Sequence, residues 1–210
     1  MDFKDFKNNV SKLSEITLGG LEAQFELAPK FRQKYTKEFL EARDAKKAAV
    51  LALFYPNSQG KTCFLLTLRA NYNGTHASQI SFPGGKLESS DTSLKNTALR
   101  EAHEEVGIQP DDVHIFKQMT NVFIPPSNFM VTPFLGLLNY TPILTKNEEV
   151  EENIAVLLED LLNEHAFSTA IVSTSYAKNT LVPCFNLSNC VVWGATAMML
   201  NEIKMLLKEI

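Results

Sequence analysis

The sequence predicts one mixed α/β domain with an added helical segment at its N-terminus, and three observations predict it. The chain has 210 residues, 45% of them hydrophobic and 21% charged, the size and balance of one generous domain able to bury a substantial core. Short apolar runs bounded by turn-prone residues are interspersed with stretches of helical period. No internal repeat or low-complexity linker interrupts them.

The elements follow in chain order. Phe3, Phe6, Val10 and Leu13 recur at helical spacing, so residues 2–16 form an amphipathic helix. Its apolar face packs either on its own domain or on a second copy of the chain in a homodimer. Residues 17–46 are mixed, broken at Gly19-Gly20 and Pro29, with helical propensity returning over 32–44. The apolar runs 48–55 and 62–68 are strands, and the breaker-rich Pro56-Asn57-Ser58-Gln59-Gly60 between them makes a hairpin. A polar loop over 71–78 and a short strand lead into Phe82-Pro83-Gly84-Gly85. Residues 92–106 are helical, and Gly107 stands where a helix takes its C-terminal cap. Strands over 113–122 and 129–138, an acidic run over 147–153, a short helix over 155–162, a strand-like region over 181–190 and a closing helix over 196–208 complete the chain.

Bulk properties narrow the function. The net charge of −4 and the lack of a basic stripe argue against nucleic-acid binding. No stretch approaches the roughly 20 apolar residues needed to span a bilayer, and the polar N-terminus lacks a signal-peptide core. Cys63, Cys184 and Cys190 supply neither a disulfide scaffold nor the paired spacing of a structural zinc site. The expectation is a soluble protein of the reducing cytoplasm that touches no membrane.

The chemistry concentrates in Phe82–Ile108, FPGGKLESSDTSLKNTALREAHEEVGI. Glu101, Glu104 and Glu105 stand at i, i+3 and i+4, so a helix projects all three from one face. Like charges so placed repel, by a few tenths of a kcal/mol per pair in an isolated helix. On a solvated surface that means little; with hard divalent cations among the carboxylates it has a purpose. A solvated face is the ordinary explanation of a Glu-rich helix. Here it would also have to explain the Gly-Gly turn, the Arg-Glu and Glu-Glu pairs and the terminal Gly, all at fixed offsets.

Residues 100–108, Arg-Glu-Ala-His-Glu-Glu-Val-Gly-Ile, match the REUxEExGU core of the Nudix box, where U is aliphatic or similar. The chain therefore resembles the Nudix hydrolase superfamily. Within it, the coenzyme A pyrophosphatase branch is the nearest resemblance. Leu65-Leu66-Thr67, Thr97-Ala98-Leu99-Arg100-Glu101-Ala102, Val131-Thr132-Pro133-Phe134 and Trp193-Gly194-Ala195-Thr196-Ala197 fit its LLT, TALREA, VTPF and WGxTA segments. The resemblance divides the chain into an N-terminal helical extension, 1–46, packed on a Nudix domain, 47–210, and implies an α/β/α sandwich with a mixed sheet. It further implies hydrolysis of a diphosphate bond in a small nucleotide substrate, with Mg2+ or Mn2+. That substrate would be coenzyme A or its thioesters, yielding adenosine 3′,5′-bisphosphate and 4′-phosphopantetheine. The alternatives are another nucleoside diphosphate derivative (ADP-ribose, a nucleotide sugar or a dinucleotide) and a silent binding domain. The silent domain fits poorly, since all three box glutamates are kept.

The resemblance also implies roles. Glu101, Glu104 and Glu105 would hold the metal and carry catalysis, with the Gly84 carbonyl as a further ligand. Arg100 would point away from the metal and steady a carboxylate. The usual box has Glu eight residues before the Arg, where this chain has Thr92; Asp91, one residue earlier as in the coenzyme A branch, would support Arg100. Glu149, in the acidic run, would be the fourth carboxylate, as ligand or general base; a solvated loop explains it nearly as well. The branch's upstream Ser, Arg and Gly fall on Ala70, Gly74 and Ser78, which removes an arginine suited to gripping phosphate and leaves Arg69 as substitute. Lys86 either meets a phosphate or points into water. His103, at the variable box position, reads as a surface residue, and Trp193 as a packing anchor. His76, His114 and His165 show no mutual metal spacing. Phe123, Pro125, Pro126 and Phe129 form either a substrate-facing loop or core.

Overall fold

The computed structural model describes residues 1–30, 35–41, 43–70, 79–173 and 178–210. Readings that rest on Gly74, His76 and Ser78, and part of the helical stretch 32–44, lie outside the described residues. The fold is built around one long strand, β1 (Lys46–Pro56). Its side chains alternate between two cores: Ala48, Ala52 and Phe54 enter one, and Ala49, Leu51, Leu53 and Tyr55 the other. A strand buried on both faces reads as a continuous apolar run, which residues 48–55 are.

Around β1 lies a mixed sheet. β2 (Thr62–Arg69) returns antiparallel to it, and β7 (Phe129–Leu137) runs parallel along its other edge. β5 (His114–Gln118) and β6 (Val122–Ile124) pair with β7. The single strand expected over 113–122 is thus two, interrupted at 119–121, and β5 itself carries a register shift between Ile115 and Lys117. β3 (Ile80–Ser81) and β8 (Val150–Leu157) pair with β2. β8 corrects the expected helix over 155–162: Ala155 lies opposite Leu65 in the ladder, and only α5 (Leu158–Leu162) is helical. A second, three-stranded sheet joins β9 (Phe167–Val172), β10 (Thr180–Leu187) and β11 (Cys190–Trp193).

Helices cover both faces. The box helix α4 (Leu94–Val106) packs Ala98, Ala102 and Val106 against the Leu51–Leu53 side. The closing helix α6 (Gly194–Leu207) and the N-terminal helix α1 (Phe3–Glu15) share the opposite core. Phe3, Phe6, Val10 and Leu13 are all buried there, with the Phe6 ring 4.9 Å from that of Phe54. The apolar face of α1 is therefore spent on its own chain, and a homodimer would have to use another surface. Two short helices, α2 (Gly20–Phe25) and α3 (Lys37–Glu41), lie between. Fully buried Glu202 of α6 ties α2 down, accepting hydrogen bonds from Gly20 N (3.0 Å), Gln24 Nε2 (3.1 Å) and Thr120 Oγ1 (2.5 Å). Among the described residues no helix is long and apolar enough to cross a membrane.

The feature that positions the site is a fork in the sheet. The C-terminal end of β1 pairs with β2 at Phe54–Pro56, but its N-terminal part pairs instead with β4 (Gly84–Lys86) through Ala48–Val50. The Gly-Gly segment is thereby inserted where β1 and β2 diverge, beside α4.

Candidate metal and diphosphate site

Helix α4 begins at Leu94 because Ser93 is extended and its Oγ accepts from Asn96 N, an N-cap that serine before a helix announces. It ends at Gly107 in the left-handed conformation (φ 76°). Between these caps the i, i+3, i+4 spacing sends the three glutamates toward β4, into different surroundings. Glu105 is 3% exposed, Glu101 14% and Glu104 52%.

Arg100 organises the loop ahead of the helix. Its Nε and Nη2 donate to the two oxygens of Asp91 at 2.9 and 3.0 Å, and Nη2 also reaches the Lys86 carbonyl at 3.2 Å. Further ion pairs run to Glu101 and Glu104, each at 3.1 Å. Arg100 thus fastens the Gly-Gly strand to the helix rather than steadying a single carboxylate. Asp91 also accepts from Glu88 N and from buried Thr97 Oγ1, both at 3.0 Å; the part played by Thr97 was not evident from its position in the sequence. Hydrogen bonding to Arg100, helped by the Glu88 amide and Thr97, holds Asp91 at about 2, well below the ordinary 3.8. The same contact raises Arg100 further.

This shift makes a prediction with a definite sign. A carboxylate whose folded pKa lies below its unfolded value stabilises above the unfolded pKa and loses that contribution as pH falls through the folded one. For Asp91, 4% exposed, the contribution is on the order of 2 kcal/mol. Asp91→Asn should therefore unfold at lower denaturant than the parent at pH 7, with the gap closing between about pH 4 and pH 2. Equal midpoints at pH 7 would show that the pair contributes nothing.

Glu105 occupies the deepest position. Its Oε2 accepts from Gly84 N at 3.1 Å, and its Oε1 faces Arg69 Nη1 at 3.6 Å. Burial pushes its carboxyl up to about 7, against the pull of Arg69 and the Gly84 N–H; Glu101 and Glu149 repel it further. Glu101 is also raised, first by burial, with Arg100 opposing. Glu149 arrives from the turn just ahead of β8. The β2–β8 ladder sets Arg69 opposite Val150 across a bulge at Leu68/Arg69, and Arg69 Nη2 donates to Glu149 Oε2 at 3.3 Å. Bulges often re-aim side chains beside active sites. Glu149 thus sits in the turn that leads into β8, its side chain largely exposed and paired with Arg69.

A cavity of about 470 Å³ opens over this cluster. Arg69, Lys86, Arg100, Glu101, Glu104 and Glu149 line it on the polar side, and Ile80, Phe82, Ile124, Phe129, Trp193 and Met199 supply apolar lining. Trp193, expected to be a packing anchor, is half-buried and on the cavity surface. Of the Phe123–Phe129 segment, Pro126 and Phe129 reach the cavity while Phe123 is buried. Lys86 is exposed and sits 3.9 Å from Glu88. His103 lies on another face, its Nδ1 3.2 Å from the Ile108 carbonyl.

The donor set fits a hard divalent cation: carboxylates and a backbone carbonyl, with no sulfur or imidazole among them. Mutual repulsion of Glu101, Glu105 and Glu149 means that their charges face a common region. Among the described residues, however, no three acidic, Cys or His groups converge into a ready coordination sphere. Arg100 draws Glu101 and Glu104 aside, while Arg69 and Gly84 hold Glu105.

Comparison with known proteins finds relatives of this domain. The NUDIX domain family model matches residues 45–174. The uncharacterized Nudix hydrolase NudL of Enterobacter sp. (strain 638) is 35% identical over 154 residues, covering 71% of this chain and 72% of that relative. NudL of Yersinia pestis (strain Pestoides F) is 32% identical over 140 residues, 66% of this chain and 69% of its own. Among solved structures, a MutT/nudix family protein from Enterococcus faecalis superposes with a TM-score of 0.53 at 15% identity, covering 93% of this chain and 75% of that one.

Proposed function

Since the chain belongs to the Nudix hydrolase family and is a pyrophosphohydrolase, we propose that its substrate is coenzyme A or a thioester of it, cut to adenosine 3′,5′-bisphosphate and 4′-phosphopantetheine. The observation that carries this reading is the two-sided cavity: a carboxylate-rich helix face suited to a metal-bridged diphosphate, with an apolar lining about Trp193, Phe129 and Met199 that suits a long, partly apolar arm. The segments resembling the coenzyme A branch support it, because Val131 and Trp193–Thr196 lie on the cavity surface. We place the domain boundary near residue 46, where β1 begins. A reducing, cytoplasmic setting suits the three free cysteines.

In this reading Glu101, Glu104, Glu105 and the Gly84 carbonyl hold Mg2+ or Mn2+. When bound, the metal supplies Lewis-acid stabilisation of the diphosphate charge and activation of the attacking water. Arg100 and Asp91 fix the helix and the Gly-Gly strand relative to each other, so the carboxylates keep their alignment. Glu149 would take the water's proton or complete the ligand set, a role its place on the cavity surface supports. Arg69 and Lys86 offer positive charge to the phosphates, Arg69 with bidentate geometry. The apolar lining excludes water around the bond that breaks.

The test offers purified protein coenzyme A, dephospho-coenzyme A, ADP-ribose and NADH in parallel, with magnesium or manganese, and identifies the products. Preferential release of adenosine 3′,5′-bisphosphate from coenzyme A is expected. Cleavage of the others with coenzyme A untouched would transfer the same chemistry to another nucleoside diphosphate derivative. No cleavage of any would leave a binding domain.

A further inference from the structure

We propose that Arg69 is an internal counter-cation that occupies the carboxylate cluster before the metal does, and that metal binding hands it over to the substrate's diphosphate. The inference rests on the metal-dependent hydrolase reading above and assigns a positioning role that the box residues do not have.

Four observations converge on it. Arg69 stands between two carboxylates contributed by different elements, 3.6 Å from Glu105 Oε1 of α4 and 3.3 Å from Glu149 Oε2 ahead of β8. Glu105 is absent from the cavity surface, yet Arg69 and Gly84, which both contact it, are on that surface. The two holds on Glu105 are unequal. Gly84 N makes a hydrogen bond of 3.1 Å from the rigid backbone of a paired strand. The Arg69 contact, at 3.6 Å, lies beyond hydrogen-bond distance and is purely electrostatic. The bulge at Leu68/Arg69 gives this arginine a side-chain direction that the regular ladder would not.

The chemistry follows from charge. Glu105 is buried, and the Arg69 guanidinium lies 3.6 Å from its Oε1. A divalent ion that engages Oε1 would meet the guanidinium at close range, and two cations cannot share one carboxylate oxygen without strong repulsion. The Arg69 contact is the longer and more exposed, so it is the one that yields. The displaced guanidinium already lies on the cavity wall, on a long side chain, where a planar fork matches two phosphate oxygens. Arg69 would thus link metal arrival to substrate grip, replacing the arginine that Gly74 lacks.

The test separates this role from a static one. In substrate-free protein labelled with 15N, the Nε–Hε resonance of Arg69, assigned by its loss in Arg69→Lys, is followed during Mg2+ titration. The resonance is expected to shift on saturation, and to shift again when α,β-methylene-ADP is added as a non-hydrolysable diphosphate. By calorimetry, Arg69→Gln should bind Mg2+ about three- to tenfold more tightly than the parent, because its competitor is gone. The Mg2+-loaded variant should bind α,β-methylene-ADP at least about tenfold more weakly. A stationary Arg69 resonance, or Mg2+ affinity unchanged or weakened in Arg69→Gln, would overturn the exchange and leave Arg69 as a fixed support. Parent protein that binds no Mg2+ would instead sink the metal-dependent reading itself, and the proposal with it. Circular dichroism of both variants establishes that the comparison is between folded proteins.

Discussion

Glu105→Gln should reduce turnover by about two to three orders of magnitude while leaving the metal-free protein at least as stable as the parent. The two effects have opposite signs because one side chain serves two opposed demands. An amide is a poorer ligand than a carboxylate for a hard cation, so the chemistry suffers. The folded protein, in contrast, pushes this carboxyl up to about 7 by burying it. A carboxyl raised in this way contributes stability below its unfolded pKa and loses it as pH rises through the folded one. The amide keeps an acceptor for the Gly84 N–H and has no charge to desolvate. Thermal melts without metal should therefore favour Glu105→Gln more at pH 8 than at pH 5, and added Mg2+ should stabilise only the parent. Parent-like turnover in the variant would refute the assignment of Glu105 to the metal. A marked loss of metal-free stability would make Glu105 a structural partner of Arg69 instead.

Gly84→Ala should cost more stability than any other single change in the site, on the order of 3 kcal/mol or more. At φ +153° an added Cβ would run into the Ala49 carbonyl oxygen and lie 2.6 Å from Val50 Cα. Both are backbone atoms of β1, the strand flanked by β2 and β4 on one side and β7 on the other. Neither can move without disturbing the sheet, and the insertion of β4 into the fork would fail. The neighbouring change has another outcome. A Cβ on Gly85 would meet the carboxylate of Glu101, 2.6 Å from its Cδ, and a side chain can rotate. Gly85→Ala should thus melt within a few degrees of the parent and lose activity through a displaced Glu101. The pair of melting curves, read beside the two activities, checks both statements. If Gly84→Ala melted like Gly85→Ala, the close approach of β4 to β1 would not be what holds the segment.

Much of the box was legible because helix geometry is local. The spacing of Glu101, Glu104 and Glu105 puts them on one face wherever the helix sits, and Gly107 marks its end through a backbone conformation that other residues adopt at a cost. The same locality made the apolar spacing of α1 readable, and the continuous apolar run of β1 as well. The acidic run was legible as acid, not as position. Ala155, Val156 and Leu157 fit the start of a helix as well as the end of a strand, and pairing with Leu65, Phe64 and Cys63 decided for the strand.

What the sequence by itself determined, then, is the box helix with its caps, the mixed α/β class and the set of oxygen donors, all governed by interactions within a few residues. Only the tertiary structure decided that Glu149 meets Arg69 across 80 positions of chain, that Gly84 enters a fork in the sheet, and that Trp193 fronts the cavity. Those outcomes depend on strand register and on how two buried faces fill, and such long-range pairing leaves no periodic trace in the residues it joins.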